Sequence, residues 1–115
     1  VIRRETRELA RRDALYRGGR PSAEVAGQIV LVVDDGIATG ATMLAAVRLL
    51  RHQGAARIVV AAPVAPPDTV ARLADEADEV VVISTPASFS AVGCWYEDFS
   101  QTTDEEVSRL LAAYR

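Results

Sequence analysis

The hydrophobic positions of this 115-residue chain fall into two patterns, namely short continuous apolar runs and longer stretches with helical spacing. The continuous runs lie in Ile29–Val33, Arg57–Ala62 and Glu79–Ser84, and they are rich in Val and Ile. Apolar runs of this length without alternation are typical of strands buried on both faces of a parallel sheet. We therefore predict three such strands.

Four further stretches have the apolar spacing of amphipathic helices. They are residues 2–17, 40–53, 68–77 and 103–114, with boundaries known to within a few residues. Gly54 is expected to end the second helix, and Asp68 is expected to cap the third. Thr103-Asp-Glu-Glu106 is a capping box, which predicts the start of the fourth helix.

Strands that alternate with helices of this length predict an α/β fold with right-handed crossovers and a parallel sheet flanked by helices. The turn at residues 34–39 follows the first strand, and an irregular segment at 85–101 contains most of the aromatic residues. We predict one domain over residues 1–115. Its parts are an Arg-rich helix and loop at 1–28, a core at 29–84, and an aromatic loop with a final helix at 85–115.

Composition supports a globular domain, because half of the residues are hydrophobic and a quarter are charged. No apolar run is long enough to cross a bilayer, and no signal-peptide pattern opens the chain, so we expect no membrane partner. The lone Cys94 cannot form an internal disulfide, and a cytoplasmic location is the simplest expectation. The first 20 residues hold seven arginines against three acids, which we interpret as a solvated helix face and not as a nucleic-acid surface.

The candidate chemistry lies where the first predicted strand ends. Asp34-Asp35 follows the strand directly, then Gly36-Ile-Ala-Thr-Gly-Ala41, and then Thr42 in the first turn of a helix. Two glycines let the backbone turn tightly and bring N–H groups together as a phosphate nest, to which Thr39 and Thr42 add hydroxyl donors. Two carboxylates suit sugar hydroxyls or a magnesium ion. The pattern therefore predicts a ligand with a phosphate close to a diol, such as ribose 5-phosphate.

Three other phosphate-related motifs share parts of this pattern. A nucleotide P-loop needs a wider glycine spacing and a lysine, and the chain contains no lysine. A dinucleotide-binding G-x-G-x-x-G is absent, and two acids would repel a pyrophosphate. A phosphorylation receiver domain would need a further aspartate at the end of a later strand, where Ala62-Pro63 and Thr85-Pro86 stand instead.

The segment VVDDGIATGATM, Val32–Met43, resembles the signature for 5-phosphoribosyl-1-pyrophosphate (PRPP) in type I phosphoribosyltransferases. That resemblance implies a Rossmann-like phosphoribosyltransferase fold and transfer of ribose 5-phosphate to a nitrogenous base, with release of pyrophosphate. Asp34 and Asp35 would then hold the ribose hydroxyls and stabilise positive charge developing at C1. Mg²⁺ would be held mainly through PRPP, with no direct protein ligand expected. The residues implied in 5-phosphate binding are Ala38, Thr39, Gly40, Ala41 and Thr42.

The resemblance also suggests roles for two flanking segments. Residues 1–28 correspond to a mobile lid over pyrophosphate, where Arg17 or Arg20 would meet that group. The segment at residues 91–99 is similar to the base-binding segment of hypoxanthine-guanine phosphoribosyltransferases, with a one-residue difference in spacing on either side of its glycine. Phe89 or Trp95 would stack on a base, and Glu97 or Asp98 would accept its N–H groups. The alternative is that Trp95, Tyr96 and Phe99 pack the final helix onto the sheet.

Two function classes stay open, a transferase and a non-catalytic module that binds PRPP or a nucleotide on the same fold. A complete enzyme of this type has an earlier strand and loop that grip pyrophosphate, and residues 1–28 do not supply them. We therefore expect the chain to be a C-terminal portion that binds PRPP weakly or not at all by itself. A homodimer is a further expectation. His52 has the pattern of a capping or surface residue and not of a catalyst. Cys94 has no base or cation beside it in sequence that would indicate a reactive thiol.

Overall fold

The structure is a computed structural model that describes Arg7, Arg11, Leu15 and residues 24–114. The three isolated residues are helical, in agreement with a helix in that region. The rest of the predicted helix at 2–17 lies outside the described residues, as do Arg17 and Arg20. Residues 24–99 form one compact unit, whereas residues 100–114 belong to a second one.

The first unit is built on a sheet of three parallel strands in the order β1-β2-β3. The strands are β1 (Ile29–Val33), β2 (Arg57–Val64) and β3 (Glu79–Ser84). Central β2 is two residues longer than predicted, because Val64 still pairs with Ser84 on β3. The predicted α/β architecture, a parallel sheet flanked by helices, is confirmed.

Two helices connect the strands. Helix α1 (Ala41–His52) leads from β1 to β2, and α2 (Pro67–Ala74) leads from β2 to β3. The prediction that Asp68 caps α2 is wrong, since the cap position is Pro66 and Pro67 opens the helix. Proline suits the first helical position because its missing N–H would have no helical partner there.

One face of the sheet carries the core of this unit. Ile58 and Val60 of β2 are fully buried, and Met43 and Val47 of α1 and Leu73 of α2 pack in the same cluster. Both helices therefore cover the face that the even-numbered strand residues form. Burial of this apolar area is the main term that stabilises the unit.

The opposite face of the sheet is exposed, so the prediction of strands buried on both faces is wrong for the described residues. Ile29 is 73% exposed, Leu31 62% and Ile83 86%, whereas Val30 and Val32 on the other side are half-buried. Because side chains alternate between the faces of a strand, an apolar run buries both sets only where a second layer is present.

The second unit contains α3 (Asp104–Ala112). Its predicted capping box is confirmed at the N-terminus, where the Thr103 hydroxyl accepts the Glu106 N–H at 3.2 Å. Inside this unit Arg11 also pairs with Asp104 at 3.0 Å. Across the residues that the structure describes, the helices are too short or too polar to span a bilayer.

Candidate functional site

The candidate loop lies at the carboxyl edge of the sheet, between β1 and α1. Parallel topology brings three connections to this edge, since α1 and α2 both begin there and residues 85–99 follow β3. Residues that are distant in sequence therefore surround the loop. In open α/β sheets this edge is the usual place for ligands.

The loop is anchored on the core by Ile37. This side chain is 3% exposed, and its N–H donates to the carbonyl of Val64 at 3.0 Å. Just before it, the Asp34 N–H continues the sheet by donating to the carbonyl of Ala61 at 3.2 Å. These two bonds fix where the chain leaves β1, and residues 38–40 then turn into the helix.

Gly40 makes the sharp turn into α1. Its φ of 82° lies in the left-handed region, which glycine adopts without strain. It is the residue before the first helical position, and its carbonyl accepts the Leu44 N–H at 2.8 Å. A Cβ on Gly40 would lie 2.8 Å from Cγ2 of Thr69, so a side chain is excluded for steric reasons as well.

A cavity of about 180 Å³ opens over the loop. Its lining comprises Asp34 and every residue from Gly36 to Met43. The five residues predicted to bind a 5-phosphate thus lie together on one cavity wall, together with one of the two predicted acids. Asp35 does not line this cavity, although it adjoins Asp34.

The backbone N–H groups of the loop are available as donors. Within residues 24–114, no acceptor is assigned to the N–H groups of Ala38, Thr39, Gly40 and Thr42. The Ala41 N–H makes only a long contact of 3.4 Å with Oγ1 of Thr39. Unpaired N–H groups at a helix N-terminus, on a cavity wall, form the usual environment for a bound anion.

The two acids influence each other. Oδ1 of Asp34 accepts the Asp35 N–H at 2.8 Å. Loss of hydration and the adjoining Asp34 carboxylate raise the pKa of Asp35 above its ordinary value. The pair therefore concentrates negative charge beside the donor-rich loop, an arrangement that favours a cation or hydroxyl donors from a ligand. The described residues contain no group of three or more potential metal ligands.

Helix α2 holds the loop from the side opposite the cavity. The buried Thr69 hydroxyl donates to the carbonyl of Ala38 at 2.7 Å. One helical turn later, Arg72 donates through Nη2 to the carbonyl of Thr39, also at 2.7 Å. Two successive carbonyls are therefore tied to the same helix.

Residues 89–99, which we call the aromatic segment, contact the acidic pair from a third direction. Val92 opens a short 3₁₀ helix, Val92–Trp95, and a Cβ built on Gly36 would lie 2.5 Å from Cγ1 of Val92. The Tyr96 hydroxyl donates a short hydrogen bond to the carbonyl of Asp35. Gly36 therefore permits close packing as well as a turn, and Tyr96 connects the aromatic segment to the acidic pair.

The predicted base-binding residues occupy this same segment but do not line the loop cavity. Phe89 and Trp95 stack on each other, with ring centroids 6.3 Å apart and planes 21° apart. Trp95 is 45% exposed. Asp98 and Glu97 are exposed. The structure thus brings the two rings together near Tyr96, without bringing them into the loop cavity.

A larger cavity, of about 310 Å³, lies at the other end of α1 and holds none of the predicted site residues. Its lining includes Arg48, Arg51 and His52. Both arginines already bond to the α2–β3 connection, since Arg48 pairs with Glu76 at 2.7 Å and Arg51 donates to the Glu76 carbonyl at 2.9 Å. Cys94 is exposed and reduced.

Comparison with known proteins decides the family. The sequence profile of the family described as "Phosphoribosyl transferase domain" matches residues 3–97. The chain belongs to this phosphoribosyl transferase family. The resemblance found in Val32–Met43 is thereby confirmed.

Two relatives match the chain over different lengths, and the first of them carries the family's name. The chain is 50% identical over 111 residues to a protein of Mycobacterium tuberculosis H37Rv whose name assigns it to the phosphoribosyl transferases. It is 42% identical over 64 residues to a ribose-phosphate pyrophosphokinase of Pyrococcus furiosus, covering 54% of this chain and 23% of that protein. The match to the mycobacterial relative covers 96% of this chain but only 25% of the relative.

Solved structures show the same fold. TT1426 from Thermus thermophilus is 46% identical with a TM-score of 0.82, over 96% of this chain and 53% of that one. Phosphoribosylpyrophosphate synthetase from Mycobacterium smegmatis is 29% identical with a TM-score of 0.51, over 85% of this chain and 34% of the synthetase. This phosphoribosyl transferase chain thus spans about half of the first solved relative.

Sequence reasoning missed three residues that contact the candidate loop and its acidic pair, Thr69, Arg72 and Tyr96. A signal existed for the first two, because a helix after β2 must begin at the same edge of the sheet as the loop after β1. Thr69 and Arg72 are three residues apart in α2, so their side chains lie on the same face of the helix. No comparable signal pointed to Tyr96, which lies in an irregular segment.

Proposed function

We propose that the protein binds PRPP and transfers its ribose 5-phosphate to a nitrogenous base, with release of pyrophosphate. The observation that carries the proposal is the wall of donor N–H groups from Ala38 to Thr42, directly beside Asp34. A ligand with a phosphate a few ångströms from a diol fits both features, because the phosphate accepts the N–H groups and the diol donates to Asp34. Membership of the phosphoribosyl transferase family supports the same ligand.

Each part of the loop has a proposed role. The N–H groups and the hydroxyls of Thr39 and Thr42 bind the 5-phosphate at the N-terminus of α1. Asp34 and Asp35 accept the ribose hydroxyls and stabilise positive charge at C1 as pyrophosphate leaves. Because negative charge fixed before the reaction needs no rearrangement, it stabilises the transition state more than mobile water does.

A magnesium ion fits this donor set. Carboxylate oxygens are ligands that Mg²⁺ prefers, and the raised pKa of Asp35, next to a second acid, marks negative charge that a cation relieves. A bound ion would neutralise part of the negative charge on the leaving pyrophosphate. We propose that it is held mainly by oxygens of PRPP, with Asp34 and Asp35 close to it.

The base is proposed to bind near the aromatic segment. Trp95 offers an exposed ring stacked on Phe89, and Tyr96 of the same segment contacts the carbonyl of Asp35. An aromatic face supports stacking on a flat nitrogenous base, and Asp98 would accept a base N–H. This part of the proposal rests on proximity in the chain and not on a shared cavity.

A second candidate is binding of PRPP or a nucleotide without transfer. The likeness to proteins named ribose-phosphate pyrophosphokinase and phosphoribosylpyrophosphate synthetase favours ribose phosphate as the ligand without indicating the reaction. A loop that holds ribose 5-phosphate is compatible with either chemistry. A cytoplasmic location and a homodimer stay predictions.

One experiment separates these candidates. Pyrophosphate release from PRPP is followed with Mg²⁺ across a panel of purine, pyrimidine and other nitrogenous bases, and PRPP binding is measured by calorimetry. Base-dependent release supports the transferase. Binding without release supports the second candidate, and no preference for PRPP over free ribose contradicts both. Because the chain spans a quarter of its mycobacterial relative, that relative is tested beside it, and this chain is expected to bind PRPP more weakly.

A further inference from the structure

Three residues of the loop border two cavities, one over the loop and one next to α2. A second cavity of about 130 Å³ lies behind the loop, lined by Thr39, Gly40 and Ala41 on one side and by Thr69 and Arg72 on the other. The first three residues also line the cavity of about 180 Å³ over the loop, which we call the front cavity. The backbone of residues 39–41 therefore borders both spaces.

The direction of the loop's N–H groups depends on its carbonyls. A peptide unit is planar and trans, so the carbonyl of one residue and the N–H of the next point in opposite directions. The Ala38 carbonyl is in one unit with the Thr39 N–H, and the Thr39 carbonyl is in one unit with the Gly40 N–H. A donor that binds these two carbonyls from the side of α2 therefore directs the Thr39 and Gly40 N–H groups toward the front cavity.

We propose that Thr69 and Arg72 are positioning residues that direct the Thr39 and Gly40 N–H groups at the 5-phosphate. Their bonds to the two carbonyls are both 2.7 Å, and both come from the first two turns of α2. Neither residue touches the front cavity. This inference rests on the proposed function, since it takes the phosphate as ligand.

The two contacts differ in how they act. Thr69 is 2% exposed, and its Cγ2 lies 2.8 Å from where a Cβ on Gly40 would be, so it packs closely against the turn and sets its position. Arg72 is exposed and charged, and a charged donor polarises the peptide that it contacts. The Gly40 N–H therefore becomes a stronger donor toward an anion.

The test compares four variants of Thr69 and Arg72, and one control variant, with the unaltered protein. Thr69→Val removes the hydroxyl at nearly constant volume, and Thr69→Ser restores it. Arg72→Met removes charge and donor, and Arg72→Lys restores both in part. Arg48→Met is the matched control, because it removes an exposed, acid-paired arginine at the far end of the sheet. Affinities for ribose 5-phosphate, inorganic phosphate and ribose are measured by calorimetry, with thermal unfolding as a check of the fold.

Thr69→Val and Arg72→Met should each weaken binding of ribose 5-phosphate and phosphate by roughly tenfold. Ribose binding should not change, and the two restoring variants should recover most of the loss. In turnover, the KM for PRPP should rise while kcat changes little. Amide resonances of Thr39 and Gly40 should shift on addition of phosphate in the unaltered protein, and much less in Thr69→Val.

Unchanged phosphate affinity in both removal variants overturns the inference. A loss that affects ribose equally and follows a lower melting temperature also overturns it, because the role would then be structural only. An unaltered protein that does not prefer ribose 5-phosphate to ribose contradicts the proposed function itself. Because that measurement uses only the unaltered protein, failure of the proposed function is distinguished from failure of the inference about Thr69 and Arg72.

Discussion

The acids at the two ends of the sheet have opposite surroundings. At the amino end, Asp78 accepts the Ile58 N–H at 2.7 Å and pairs with Arg51 at 3.0 Å. At the carboxyl end, Asp35 adjoins a second acid, Asp34. The Ile58 N–H and Arg51 lower the pKa of Asp78, whereas loss of hydration and Asp34 raise the pKa of Asp35.

The same difference extends to the neighbouring groups. At the amino end, three arginines pair with three acids across adjacent elements, and the pairs are Arg48–Glu76, Arg51–Asp78 and Arg57–Glu79. At the carboxyl end, Arg72 donates to a backbone carbonyl and not to either loop acid. The charged side chains at the amino end therefore pair within the fold, whereas the two loop acids at the carboxyl end are available to a ligand.

Removing both loop acids should produce the largest effect. Asp34→Asn with Asp35→Asn should reduce turnover by about 100-fold or more, because fixed charge aimed at C1 is lost. Melting temperature should be kept or raised. The matched control is Asp75→Asn, an exposed acid at the C-terminal end of α2, whereas the loop lies at the edge where α2 begins. Equal turnover in the double variant and the control would exclude the proposed role of the acids.

Two glycines with positive φ offer the next largest contrast. Gly40→Ala should cost about 1–3 kcal/mol, since a left-handed φ is combined with a 2.8 Å clash against Thr69. Gly54→Ala, at the amino end, has a φ of 88° but only ordinary contacts at 3.7 Å, so about 1 kcal/mol is expected. Denaturant unfolding measures both.

Ligand binding sharpens that comparison further. Gly40→Ala should also weaken phosphate binding, and Gly54→Ala should not. The idea that Gly40 serves the phosphate loop would be wrong if the two variants bound ribose 5-phosphate equally well. Calorimetric titration at a temperature where both variants are folded makes the comparison fair.

Stability should depend on pH in opposite ways at the two ends. Asp35 has a raised pKa, so its ionisation costs stability as pH rises above the ordinary value of 3.8. Asp35→Asn should therefore be more stable than the unaltered protein at pH 7, with no advantage below pH 3.8. Asp78 has a lowered pKa, so Asp78→Asn should be less stable at pH 7, and the deficit should shrink in acid. Melting curves from acid to neutral pH provide the check, and shifts of the same sign would refute the contrast.

The smallest effect is expected at an exposed pair of the amino end. The Arg57–Glu79 bond is 3.3 Å long and both side chains are about half exposed. Glu79→Gln should change stability by less than about 0.5 kcal/mol, because water and salt screen such pairs. Chemical denaturation at low and high salt tests this value, and turnover should be unaffected.

Much of the fold was predictable because its signals are local. Three apolar runs predicted three strands, and glycine at positions 40 and 54 marked the beginning and end of α1. The strand-to-helix loop was recognisable for the same reason, since acids, glycines and threonines act there through neighbouring backbone. Burial of both strand faces was not predictable from the apolar runs, because burial depends on which layers are present.

The sequence by itself therefore determined the family, the strand and helix order and the loop Ala38–Thr42, whose residues line one cavity. Only the tertiary structure decided what supports that loop from behind and beside it. Thr69, Arg72 and Tyr96 are 31 to 61 residues from their partners in sequence. Such contacts follow from the parallel order of the strands, which brings separate connections to one edge, and a local pattern does not contain that distance information.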